Sequence, residues 1–133
     1  MNSYAWPASI TLLNILLLVW AGIRVARARA RYGVAAPATS GDPNFERTFR
    51  VQMNTLENTV IFLPALWLDA LYGHGWIVSA AGVVWIVARI VYALTYVRDP
   101  AKRGPGFGIA FAAFAVLAID AAIGLVRSLL AAS

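Results

Sequence analysis

Cysteine is absent from the 133 residues, which excludes disulfides, thiolate metal sites and a cysteine nucleophile in one step. Any sulfur chemistry must use a thiol that arrives with a substrate. The single histidine, His74, has no ligand partners in sequence, so no metal site is expected; it reads as a solvated loop residue. Charge is scarce as well, at 13% of residues against 61% hydrophobic, where soluble domains hold roughly 25% and 45–50%. Water is therefore not the main solvent. Acidic residues are the rarest charges, six against eleven basic, for a net charge of +5. The basic residues flank apolar runs, where anionic lipid and topology control account for them, so no nucleic-acid partner is expected.

What the sequence does hold is apolar length. Four runs, near residues 6–26, 51–72, 76–97 and 107–130, each approach the roughly 20 residues that cross a bilayer core. With short connections they predict an all-α, up-down four-helix membrane bundle occupying residues 1–133 as one domain. Residues 1–23 carry no charge and Arg24, Arg27, Arg29 and Arg31 follow the first run, the reverse of a secretory signal. The first run is thus expected to be a retained helix. Arg24, Arg27, Arg29, Arg31, Arg47 and Arg50 gather around the first connection, and Arg98, Lys102 and Arg103 at the third. Gly73-His74-Gly75 has no basic residue. The positive-inside bias then places connections one and three in the cytoplasm and both termini outside. A bacterial inner membrane is the expected location.

Residues 35–44 read as an ordered loop before a helix starting near Pro43 or Asn44. The turn at residues 99–106 contains Pro100, Gly104, Pro105 and Gly106, which stop one helix and start the next. Pro64 is expected to bend the second span.

Polar residues inside the spans carry the functional signal. Arg50, Asn54 and Glu57 fall at i, i+4 and i+7, one stripe of the second helix; Arg89, Tyr92 and Tyr96 fall at i, i+3 and i+7, one stripe of the third, with Arg103 in the turn beyond. Glu57 and Arg89 both lie roughly 14–16 Å from the basic end at 1.5 Å per residue, deep enough to pair. Ionised groups at such depth cost about 2.5–3.5 kcal/mol each when facing lipid, so they must face protein, water or ligand. One reading is a buried Glu57–Arg89 pair fixing register beside two belt tyrosines. The other is a pocket with both charge signs and phenol donors, suited to a small zwitterionic carboxylate. Asp69 and Asp120 are expected to bond neighbouring helices or cap water-filled gaps, with no catalytic role. Trp6, Trp67, Trp76 and Trp85 are expected in the interfacial belt or in packing.

The segment from Phe45 to Glu57, FERTFRVQMNTLE, resembles the signature of the MAPEG family, the membrane-associated proteins of eicosanoid and glutathione metabolism. The likeness continues through Leu66-Trp67 and Ala88-Arg89 to Tyr92, Tyr96 and Arg103. It implies a homotrimer of four-helix subunits with glutathione, as co-substrate, between subunits near the cytosolic face. It also implies that Arg29, Arg50, Gln52, Asn54, Glu57, Tyr92 and Tyr96 contact glutathione and that Arg103 activates its thiol. The activity implied is transferase or peroxidase chemistry on lipophilic electrophiles or hydroperoxides, without a metal. Asn58 stands where the family usually has tyrosine, which removes one phenol.

Two other functions fit part of the pattern. A non-catalytic, lipid-binding scaffold of the same family would retain the fold without turnover. A small proton-coupled exporter would use Glu57 as its membrane carboxylate, but the arginines around it would repel a cationic cargo.

Overall fold

The computed structural model describes residues 3–133. Four long helices follow one another: α1 (Ala5–Tyr32), α2 (Pro43–Tyr72), α3 (Gly75–Arg98) and α4 (Gly104–Ala132), with a 3-10 turn over Pro100–Lys102 between the last two. They form an all-α up-down bundle. α4 packs on α2 and α3, and α1 lies across α2 and α3 from its own side.

Local chemistry sets the helix ends. Gly33, at φ 69°, closes α1 in the left-handed region that favours glycine. Asp42 caps α2, its Oδ1 accepting from Asn44 N at 2.8 Å, and Pro43 occupies the first turn, where its missing N–H is not needed. Asp99 Oδ1 accepts from Ala101 N at 3.1 Å to seat the 3-10 turn. α2 runs on as helix through Pro64.

The distribution of polarity is that of a bilayer protein. Leu12, Leu16, Val60, Leu129 and Leu130 point outward, while the interior holds Asn14, Thr55, Thr59, Asp69, Arg89 and Asp120. α1, α3 and α4 are each long and apolar enough to cross a membrane. α2 is longer still at 30 residues and carries the polar stripe. In lipid, helices associate through close packing and interhelical hydrogen bonds rather than water exclusion. Phe62 stacks on Trp85 at 3.8 Å and 4° between α2 and α3. Trp67 Nε1 donates to Thr11 Oγ1 at 3.1 Å, tying α2 to α1. Trp6 and Trp76 stay exposed at the end away from the arginines of the first and third connections.

At that far end His74 is the exposed loop residue expected, with a partner that the sequence did not show. Although its ring is half exposed, Nδ1 lies 2.8 Å from Asp120 Oδ1, and its backbone N–H donates to Asp120 Oδ2 at 2.7 Å. Asp120 of α4 therefore holds the α2–α3 turn, satisfying an N–H that helix α3 leaves without an internal partner.

Candidate functional site

At the basic end, α2, α3 and the α1–α2 connection enclose an open cleft of about 700 Å³. Arg50, Asn54 and Glu57 line it from α2, Tyr96 from α3, and Thr39 and Ser40 from the connection. The stripe expected on α2 thus borders one cavity. Arg50 and Glu57 are exposed and Asn54 is partly buried, so a cation, an amide and an anion succeed one another down a single wall.

The α3 stripe lies behind this wall. Arg89, Tyr92 and Tyr96 are all buried, and the two phenol rings sit 5.6 Å apart at 30°. Tyr96 borders the cleft, whereas Tyr92 is packed against Val51 and Ala93. The Arg103 guanidinium stands over the Tyr96 ring at 5.7 Å, behind a residue that borders the cleft. The close start of α4 puts it there. A Cβ on Gly106 would lie 2.8 Å from Tyr92 N, so only glycine lets the first turn of α4 approach α3 this closely.

The possible Glu57–Arg89 pair is not formed. Arg89 Nη2 donates instead to Asn54 Oδ1 at 2.9 Å and Thr55 Oγ1 at 2.6 Å, and Glu57 faces outward. Equal depth in two helices does not imply equal azimuth: Glu57 lies about 200° around α2 from Thr55 at 100° per residue. Thr55 is a site residue the sequence reading passed over. Its signal was present, because Thr48, Thr55 and Thr59 recur at i, i+7 and i+11 and all three are buried.

Two further candidates lie apart from the cleft. Gln52 is turned toward α1, where its Nε2 would sit 3.4 Å from a Cβ on Gly22. Arg29 orders the first connection: Nη1 donates to Ala38 O at 2.7 Å, and the guanidinium covers the buried Phe45 ring at 4.8 Å. Glu46 Oε1 accepts from Gly41 N at 3.0 Å in the same loop. Replacing Arg29 by alanine is therefore expected to loosen residues 33–42, which supply the Thr39–Ser40 wall. Loss of the charge-assisted bond to Ala38 O, about 1.5 kcal/mol at the low end for a charged donor, corresponds to about tenfold faster elastase cleavage there, read by limited proteolysis. Unchanged cleavage would mean the loop is held without Arg29.

Among the described residues no three His, Asp or Glu side chains converge as a metal ion would require. The cleft offers guanidinium groups for carboxylates, Glu57 for an ammonium, and phenol and amide groups for peptide units.

Comparison with known proteins places this arrangement. The model of the MAPEG family matches residues 7–123. An uncharacterized protein of Synechocystis is 44% identical over 93% of this chain and 90% of its own. Leukotriene C4 synthase of Bos taurus is 36% identical over 98% of this chain and 87% of its own. Microsomal glutathione S-transferase 2 of Bos taurus is 32% identical over 92% of this chain and 84% of its own.

Proposed function

Since the chain belongs to the MAPEG family, its match running through residues 7–123, we propose that it is a membrane-bound glutathione transferase acting on lipophilic electrophiles, with peroxidase chemistry on hydroperoxides as a second use of the same thiolate. The observation that carries this reading is the cleft itself. Arg50, Asn54, Glu57 and Tyr96 border one cavity, with Arg103 stacked on its tyrosine. The relatives named above are a leukotriene C4 synthase and a microsomal glutathione S-transferase, which supports the same substrate class.

Glutathione carries two carboxylates, an ammonium and a thiol. Arg50 forks a carboxylate, Glu57 faces the ammonium, and Asn54 and Tyr96 bond the peptide groups. A neighbouring guanidinium favours thiolate over thiol, and Arg103 is the group assigned that role. The thiolate sulfur attacks the electrophilic carbon of a molecule that arrives through the bilayer, and the leaving group departs with the electron pair of the broken bond. With a hydroperoxide, two glutathione molecules are oxidised to the disulfide while the substrate is reduced to alcohol and water.

The placement of Gln52 fits a site between subunits, as a homotrimer would build. It is two residues from Arg50 and so about 200° around the helix, and one helix cannot turn both to a single ligand. If both contact glutathione, they do so from adjacent subunits, with Arg29 on the Gln52 side. The basic end faces the cytoplasm in this reading, which fits a bacterial inner membrane.

The test is titration of glutathione into the detergent-solubilised protein by calorimetry, with thiolate ultraviolet absorbance and turnover of a model aryl halide. Saturable binding, a rise in thiolate absorbance and conjugate formation are expected. Absence of glutathione binding in a protein that retains copurified lipid would replace this reading with the lipid-binding scaffold.

A further inference from the structure

An amide side chain has two ends of similar size and opposite hydrogen-bonding character, and its neighbours decide which way it faces. At Asn54 the decision belongs to donors. Arg89 has no acceptor, and its Nη2 lies 2.9 Å from the Asn54 amide end. Asn58 Nδ2, which donates to Asn54 O at 2.8 Å, stands 3.4 Å from the same end. With N–H groups on both sides, that end must be oxygen; the flipped amide would set N–H against N–H.

The Asn54 nitrogen is left at the other end. It takes no acceptor among the described residues and is not buried without a partner, and Asn54 borders the cleft. Arg89 is in turn buried and held by its contacts. It is 1% exposed, bonded to Thr55 Oγ1 and held against Tyr92, whose ring centroid lies 4.3 Å from its guanidinium carbon. No carboxylate pairs with it, since His74–Asp120 is the ion pair found among the described residues. A guanidinium this deep without a counter-ion is costly, and holding helix register alone would not require a charged donor.

We propose that Arg89 is a positioning residue that locks the Asn54 amide with its nitrogen toward the cleft, so that Asn54 acts only as a donor and the cleft there accepts a ligand carboxylate or carbonyl oxygen. This deepens the glutathione reading and rests on it. Asn58, standing in place of the family tyrosine, supplies the second donor that makes the orientation unambiguous.

The experiment compares Arg89→Met and Asn54→Asp with the native protein. Glutathione affinity is read by calorimetry, KM and kcat with an aryl halide, and thermal unfolding in detergent. Arg89→Met frees the amide to turn and is expected to raise Kd and KM for glutathione about tenfold, with kcat at saturating glutathione within about twofold. Asn54→Asp gives Arg89 a carboxylate partner, so it is expected to unfold no earlier than the native protein. It nevertheless loses at least tenfold in glutathione affinity, because an acceptor replaces the donor. Native Kd in Arg89→Met overturns the proposal and leaves the functional reading in place; if that variant does not fold, native Kd in Asn54→Asp does the same. If the native protein itself binds no glutathione, the functional reading fails. The thermal cycle of Asn54→Ala, Arg89→Met and the double variant then decides: additive effects overturn the Arg89–Asn54 linkage, and coupled effects support it.

Discussion

Replacing Arg103 by alanine is expected to slow glutathione conjugation about 100-fold at pH 7, with most of the loss traceable to orientation of the sulfur rather than to ionisation. An ordinary thiol, with a pKa near 8.5, is about 3% thiolate at pH 7, and lowering that pKa by two units gives about 75%, a gain of roughly 25-fold. The lower-pKa thiolate is also a weaker nucleophile, and a Brønsted slope of about 0.4–0.5 removes roughly eightfold of that gain. Ionisation therefore leaves about threefold. The remaining factor of about 30 must come from holding the sulfur and the developing charge in place, the kind of contribution that one preorganised donor makes.

The division gives the prediction a pH signature. Raising the pH to 9.5 ionises the thiol without help, so the deficit of the alanine variant should narrow to about fivefold. Arg103→Lys should fall between, since an ammonium favours thiolate but lacks the planar face that lies over Tyr96. Stopped-flow thiolate absorbance and steady-state rates from pH 6 to 10 provide the check. An alanine variant within threefold of the native rate at pH 7 would remove Arg103 from sulfur positioning.

How far the sequence revealed this architecture depended on which physical signal each feature leaves. The four helices were legible because hydrocarbon demands length. The start of α2 at Pro43 was legible too, from the proline and the polar residues before it, but the end of α1 was not: the first apolar run stops at residue 26, whereas α1 continues to Tyr32. Arginine is a good helix former, and a helix of 28 residues, about 42 Å long, outreaches a core of about 30 Å. Windows of apolarity miss those extra turns. The α2 stripe was legible because i, i+4, i+7 spacing fixes a face, and Arg50, Asn54 and Glu57 do border one cleft. Pairing between helices was not legible, because rotation of α3 against α2 is set by packing such as Phe62 on Trp85. Arg89 consequently met Thr55 and not Glu57. His74 and Asp120, 46 residues apart, lie beyond the reach of any local pattern.

The second large effect belongs to the far end of the bundle. Gly124→Ala is expected to prevent stable folding, or to lower the unfolding temperature well below that of a glycine-to-alanine change in open space. A Cβ there would overlap Tyr72 O and lie 2.5 Å from Tyr72 C. Both are backbone atoms at the end of α2, so no rotamer change relieves the clash; α4 must move away from the α2–α3 turn. Overpacking usually costs about 1–3 kcal/mol, and two further losses accompany it here. The Asp120 bonds to His74 lie one helical turn away, and Asp69 beneath them is fully buried. Opening that end would break the first and admit water or lipid to the second. Gly75→Ala is the control, because a Cβ at that position meets nothing within 4 Å and α3 should tolerate or favour it. Thermal unfolding of the two variants in detergent should separate them clearly, with Gly75→Ala near the native temperature. A Gly124→Ala protein as stable as the native one would mean that α4 does not press against Tyr72 and that the Asp120–His74 tether does not depend on that contact.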